Sequence, residues 1–322
     1  MISSNYRPRL RIAALRALCA ACALTPVLAL AQESGVVGVN VQKLANAVLA
    51  VMGFTVTPDV TTGSLSIFNQ ETGNPDFKQG SVGGGFTVSK SLPLYLEGTA
   101  AYARYDPTFI VSSRQAEEAV SVNWESISVS GGIGWDFALA AAGWTLRPIF
   151  NLSLGRVSSS RRDGERFLAP QSGAESEFLG DGELNAFGLG GSLMLDYERY
   201  RPENEIDLEL RYSNIYLQSF DSSVAVEGHA SAQSLSVWSR WRAPTGMHVF
   251  ELPLRYVLEY AYTRFLGDLE GVMGFEDIHS FGVGLELDSS KRDIVVTRTR
   301  LLARYKVGNN VEGWAVGLAV SF

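Results

Sequence analysis

The chain has 322 residues, 46% of them hydrophobic, with 27 Lys and Arg against 34 Asp and Glu. An acidic chain with scattered basic residues has no electrostatic basis for binding nucleic acid. Its only two cysteines, Cys19 and Cys22, exclude a disulfide-stapled fold.

The N-terminus reads as a secretory signal over residues 1–31. Arg7, Arg9, Arg11 and Arg16 form a basic start, an apolar run extends from Ala13 to Leu30, and Ala29-Leu30-Ala31 is a small-x-small cleavage site. A membrane anchor is the alternative, but Arg16 and Pro26 interrupt the run. Lipidation at Cys22 is disfavoured because Cys19, not a Leu-like residue, stands three positions before it. Cleavage after Ala31 removes both cysteines. No later apolar run reaches the roughly 20 residues of a membrane helix.

Residues 32–60 form an N-terminal segment in which Val41, Leu44, Val48 and Val51 recur at helical spacing. They predict a helix over 39–52, stopped by Gly53. At about 1.5 Å per residue it is roughly 20 Å long, too short to span a bilayer. Its place is a lumen plug, the periplasmic mouth, or a spacer left from export.

From residue 61 to 322 the period changes to two. Strands are expected at 64–69, 82–90, 94–104, 125–139, 144–157, 184–199, 205–218, 230–242, 248–265, 276–288, 293–307 and 312–322. That is an all-β, transmembrane antiparallel barrel of about 12 strands. Charges keep to one parity, as the cost of about 2–4 kcal/mol for a basic residue on the lipid face near the midplane demands. Asp207, Glu209 and Arg211 alternate with Ile206, Leu208 and Leu210; Glu251, Arg255 and Glu259 with Leu252, Leu254 and Leu258. Arg298, Arg300, Arg304 and Lys306 oppose Thr299, Leu301, Ala303 and Tyr305. Asp207, Glu209, Arg211, Arg255, Glu259, Arg298, Arg300 and Arg304 are therefore the candidate lumen residues. A soluble β-sandwich also alternates, but it requires neither the signal nor the C-terminus described below.

Short turns at 91–93, 140–143, 201–204, 243–246 and 289–292 alternate with longer loops at about 70–80, 105–123, 159–183, 220–228 and 266–275. A tight Gly308-Asn309-Asn310 turn follows the last of these. This places the short turns and both termini in the periplasm. Trp135, Phe137, Trp144, Tyr197, Trp241 and Phe322 fall at that end as an aromatic girdle. The last strand sets Trp314, Val316, Leu318, Val320 and Phe322 against Ala315, Gly317, Ala319 and Ser321. Such an edge aggregates in a soluble protein. Gly317, Val320 and Phe322 resemble the C-terminal signal read by the outer-membrane barrel assembly machinery, with Ala315 departing from its polar position.

Leu44-Ala45-Asn46-Ala47-Val48-Leu49, Met52 through Val60, Gly83 through Ser91, Tyr102 through Pro107, Gly131 through Phe137 and Arg147-Pro148-Ile149-Phe150-Asn151 resemble the solitary outer-membrane autotransporter-like β-barrel family. The resemblance covers essentially the whole exported part. It implies a 12-stranded translocator-type barrel with a helix entering the pore. Only about 30 residues precede the barrel after cleavage, so a large passenger is not expected.

Chemistry is weakly signalled. Asp277-Ile278-His279 resembles half of an omptin-like aspartyl protease site, but no Asp-x-Asp pair accompanies it. His229-Ala230-Ser231 resembles the His-x-Ser of outer-membrane phospholipases, without an evident residue to orient the histidine. Metal ligation lacks clustered histidines and cysteines. The expectation is a non-enzymatic structural or plugged pore-like barrel without cofactors, exported to the bacterial outer membrane. The alternative is a porin-like diffusion channel. Its partners are outer-membrane lipid and lipopolysaccharide, and the assembly machinery during biogenesis.

Overall fold

The computed structural model describes residues 41–56, 65–69, 75–105, 108–112, 117–161, 183–221, 228–272, 274–290, 297–309 and 311–321. The chain begins with α1 (Val41–Val56), then β1 (Leu65–Asn69), β2 (Pro75–Thr87), β3 (Leu94–Tyr105) and β4 (Thr108–Ser112). Next come β5 (Glu117–Trp135), β6 (Phe137–Ala138), β7 (Trp144–Arg161), β8 (Glu183–Tyr200) and β9 (Glu205–Phe220). The series ends with β10 (His229–Val249), β11 (Leu252–Gly267), β12 (Asp277–Asp288), β13 (Arg298–Gly308) and β14 (Val311–Ser321).

Every pairing is antiparallel, and the ladder closes on itself. β1 pairs with β14 through Ser66 and Trp314, and β5 pairs with β7 from Val122–Arg161 to Gly134–Ile149. The ring therefore runs β1-β2-β3-β5-β7-β8-β9-β10-β11-β12-β13-β14 and back to β1. The twelve strands match the number predicted from alternation. β4 lengthens the outer end of β5 as a hairpin, and β6 carries the β5 line past Asp136 against β7. Closure leaves no open edge in the ring, which explains how long apolar strands avoid edge-to-edge pairing.

Alternation decides what faces where. Along β9, Glu205, Asp207, Glu209, Arg211, Ser213, Ile215 and Leu217 are buried, while Leu210, Tyr212 and Tyr216 are exposed. Val82, Ile127, Leu152, Leu193, Val283 and Leu318 point outward, Val82 with 73% and Leu318 with 68% of its surface open. An apolar exterior and a charged interior invert the arrangement of a soluble sandwich and suit a lipid surround. At the short-turn end, Trp144 packs on Tyr197 with centroids 4.9 Å apart and Trp241 on Tyr256 at 5.2 Å, beside the exposed Trp135 and Phe137.

Several boundaries differ from the sequence reading. α1 continues through Gly53 to Val56, because Gly53 packs tightly rather than capping. β2 begins at Pro75 and β5 at Glu117, inside stretches expected to be loops, since strands of this barrel project past the apolar band. The expected turn at 243–246 is a bulge: pairing resumes at His248–Pro253, and the chain reverses at Phe250 and Glu251 with φ of 51° and 64°. Glu251 thus sits exposed in a turn instead of on the charged face. Pro244 and Gly246 imitate a turn locally, while Gly246 at φ 80° absorbs the bulge. β13 is described from Arg298, and residues 293–296 of the strand expected there lie outside the described residues. The signal segment 1–31, the loop core 162–182, Asn310 and Phe322 lie outside the described residues.

Candidate functional site: the barrel interior

The upper half of the ring interior is apolar and holds α1. Val48, Leu49, Ala50, Val51, Met52, Phe54 and Val56 are each at most 9% exposed, so the helix is covered on all sides rather than on one stripe. Each large side chain so buried is worth about 1.5–3 kcal/mol. Its seat comes from Ala103, Trp124, Val157, Leu184, Ala186, Ile215, Leu217, Ala230, Ala232 and Phe265, with Leu269 and Phe275 from the β11–β12 connection. α1 touches β3, β5, β7, β9 and β10, so it lies within the ring, not beside it. Two close approaches set its depth. A Cβ on Gly53 would come 2.6 Å from Leu269 Cδ2 and 3.0 Å from Ala232 Cβ, and a Cβ on Gly155 of β7 would run into the Met52 sulfur.

The direction of α1 follows from its polar contacts. Asn46, near its start, accepts a hydrogen bond from the backbone N–H of His229 at the long-loop end of β10, 3.0 Å. Thr55, near its finish, accepts one from the Ser128 hydroxyl partway down β5, 2.8 Å. α1 therefore enters from the long-loop end and points toward the short turns. β14 finishes at the short-turn end, opposite Arg298, as expected for the C-terminus. The N-terminus itself, expected at the same end, lies outside the described residues, whereas α1 begins at the opposite end. The reason is packing: the apolar seat exists only in the half of the lumen nearest the long loops.

Below α1 the interior turns ionic. Arg211 of β9 forms a two-pronged pair with Glu97 of β3, Nη1–Oε2 2.8 Å and Nη2–Oε1 2.7 Å, although β5, β7 and β8 stand between these strands in the ring. Asn151 donates to Glu97 at 2.6 Å, Ser192 donates to Asn151 at 2.7 Å, and Arg211 donates to Ser192 at 3.0 Å and Ser213 at 3.1 Å. Closer to the short turns, Arg242 reaches Asp207 at 2.9 Å, Glu205 at 3.1 Å and Glu286 at 3.5 Å. Arg298 pairs with Glu205 at 2.6 Å, Arg300 with Glu286 at 3.1 Å and Arg240 with Asp207 at 2.6 Å, while Arg255 also bonds Glu205. Arg304 pairs with Glu259 at 2.7 Å across the strand between them. Arg147 pairs with Asp136, approaches Asp196 at 3.6 Å and lies 4.0 Å over the Tyr95 ring.

Asp207, Glu209, Arg211, Arg255, Glu259, Arg300 and Arg304 are all buried on the inward face, and Arg298 is partly so. The structure divides the named residues among three clusters, and Arg255 of β11 meets Glu205 of β9. Asp207 answers Arg240 and Arg242, Arg211 answers Glu97, and Glu259 answers Arg304. Glu97, Glu205, Arg240, Arg242 and Glu286 complete these clusters and were absent from the candidate lumen residues, as was Arg147, which forms a separate group with Asp136 and Asp196. Parity marks them too: Arg240 and Arg242 share one face of β10, and Glu286 alternates with Leu285 and Leu287. Ile215, Leu217, Ala230 and Ala232 on the charge-bearing face were the overlooked sign of an apolar seat. Of the C-terminal residues, Gly317 is buried and Val320 pairs with Thr299.

The histidines have ordinary surroundings. The His229 ring stacks near Tyr216 with centroids 6.1 Å apart, while Ser231 bonds Asn214 at 3.2 Å and Gln233 at 2.9 Å. His279 Nδ1 meets the Tyr260 hydroxyl at 3.0 Å, and Asp277 meets the Tyr262 hydroxyl at 3.4 Å. Among the described residues, no cluster of His, Cys, Asp and Glu has the arrangement of a metal site.

No curated protein matches the chain. Among solved structures, the translocator domain of the autotransporter NalP from Neisseria meningitidis is 14% identical, covering 88% of this chain and 96% of that one, with a TM-score of 0.44. The beta domain of the Bordetella autotransporter BrkA is 12% identical over 81% and 97%, TM-score 0.47. The transport unit of the autotransporter AIDA-I from Escherichia coli is 12% identical over 86% and 99%, TM-score 0.48. Residues 34–162 match the family model described as the autotransporter beta-domain. That match takes in α1 and the strands from β1 to β7, somewhat less than half of the chain.

Proposed function

We propose that the protein is an integral barrel of the bacterial outer membrane, exported by cleavage after Ala31, with α1 as a resident plug. The observation that carries this reading is the burial of residues 48–56 of α1 on every side within the ring. Twelve strands with about 4.8 Å between neighbours and a tilt of roughly 40° give a backbone diameter near 24 Å. Inward side chains reduce this to a space that a helix about 10 Å wide fills. The exposed apolar belt supports a lipid surround, with lipopolysaccharide at the long-loop end and the assembly machinery as the biogenesis partner. α1 starts at the long-loop end, which this reading sets at the cell surface. The protein performs no catalysis in this reading: Ser231 is engaged by Asn214 and Gln233, and His279 by a tyrosine.

A diffusion channel of the porin kind needs water against its lumen charges, and the low exposure of Arg211, Arg242 and Glu286 weighs against it. Purified protein in planar bilayers is expected to pass little current. Unboiled samples should migrate differently from boiled ones in SDS, and an epitope between Ala31 and Val41 should be stained on intact cells. A steady current of the size of an open 12-stranded bore overturns the plug. A tag seen only after permeabilisation overturns the helix direction in the membrane.

A further inference from the structure

We propose that the bore is closed twice in series, by α1 in its outer half and, independently, by the cross-lumen ion lattice beneath it. This rests on the reading of α1 as a plug and adds a second seal that does not depend on the helix. Glu97 pairs in register with Gly132, four residues further along β5 than Ser128, where α1 ends its polar contacts. That is about 13 Å of strand below the helix tip.

Side chains that line an open aqueous bore are wet. Here, at the Glu97 level, Arg211 is 2% exposed, Asn151 0% and Ser213 1%; deeper, Glu286 is 0% and Arg242 2% exposed. The space between the walls at both levels is therefore filled by protein atoms. The Glu97–Arg211 pair is the bar across this space, because its partners come from strands separated by three others. Asn151, Ser192 and Ser213 brace it from β7, β8 and β9. Glycine makes room for it: a Cβ on Gly132 would lie 2.6 Å from both Glu97 Oε1 and Asn151 Nδ2. The lower lattice sets Arg240, Arg242, Arg255, Arg298 and Arg300 against Glu205, Asp207, Glu286 and Asp288, close to neutrality. A ligand-binding ring carries an excess of one sign; near-balanced charges that pair with one another act as a closure. Removal of α1 would leave this inner gate shut, and opening the pore requires the ion pairs to exchange partners or take up water.

The test uses the full chain lacking Cys19 and Cys22, with one reporter thiol at Ser130. Ser130 lies between the helix tip and the bar, is 9% exposed, and its hydroxyl has no protein partner. Purified barrels in detergent micelles are labelled with a small water-soluble thiosulfonate, with Ala141→Cys in an exposed turn as reference. Ser130→Cys is expected to react at least about tenfold more slowly than the reference, and about tenfold faster once Glu97→Ala with Arg211→Ala removes the bar and Arg242→Ala with Glu286→Ala opens the lattice beneath it. The charge swap Glu97→Arg with Arg211→Glu should restore slow labelling. Heat-shifted migration in SDS reports folding of each variant, and Glu97→Gln with Arg211→Gln replaces the alanine pair if that pair fails to fold. Labelling that stays slow after both the bar and the lattice beneath it are removed overturns the second seal and leaves the plug standing. Fast labelling of the parent without bilayer current also overturns the seal, whereas fast labelling with current overturns the plug itself.

Discussion

Removing the carboxylate of Glu259 should reveal how dry the interior is. Glu259 of β11 and Arg304 of β13 meet across Gly282 of β12, where a Cβ would stand 3.1 Å from Glu259 Cβ and 3.3 Å from Arg304 Cγ. One oxygen, Oε2, accepts from Arg304 Nε at 3.0 Å and Nη2 at 2.7 Å, and the side chains are only 5% and 4% exposed. In Glu259→Ala the guanidinium loses both of these bonds. Leaving one partner of a buried pair uncompensated costs about 3–5 kcal/mol. The same pair in contact with water would be worth about 1 kcal/mol or less, so the two cases separate cleanly. Urea unfolding from lipid vesicles, followed by tryptophan fluorescence, measures the loss, and heat-shifted migration confirms that the barrel assembled. Glu259→Ala with Arg304→Ala should recover most of the stability, because no lone charge remains. A single variant that loses less than about 1 kcal/mol would mean that water reaches Arg304, and the closed interior argued above would be wrong.

Further outcomes follow from the two faces of the wall and from the helix seat. Leu318→Arg places a charge on an outward position that is 68% exposed and should destabilise the inserted barrel by about 2–4 kcal/mol if it sits near the midplane, measured by the same unfolding. A neutral effect would remove the lipid from that face. Gly155→Leu should unseat α1 by meeting Met52, making the helix sensitive to added protease while the barrel keeps its heat-shifted migration; a helix that stays protected would show that Met52 has other room. Phe322→Ser should leave export intact and lower the amount of barrel inserted in the outer membrane, and unchanged levels would remove the C-terminal residue from the assembly signal.

Local periodicity carried most of the architecture. The change from a 3.6-residue to a 2-residue repeat near residue 60 separates α1 from the wall, and charge parity from β9 to β13 tells inside from outside. Both are readable because each depends on residues a few positions apart. Boundaries set by packing were not readable: Gly53 looks like a helix stop until Leu269 and Ala232 are seen against it, and Thr245-Gly246 looks like a turn until Pro244 is seen paired with Arg255. The same holds for the interior. Sequence alone determined that Arg211 and its neighbours would need partners, because a charge on the inner face of a narrow barrel cannot be left alone. Only the tertiary structure decided that Arg211 meets Glu97, 114 residues away, since ring closure brings those strands to one space and no local pattern encodes the distance across a lumen. It likewise decided that α1 enters from the long-loop end, because the apolar seat is assembled from short stretches of β3, β5, β7, β8, β9, β10 and β11 that are hydrophobic together only after the ring has closed.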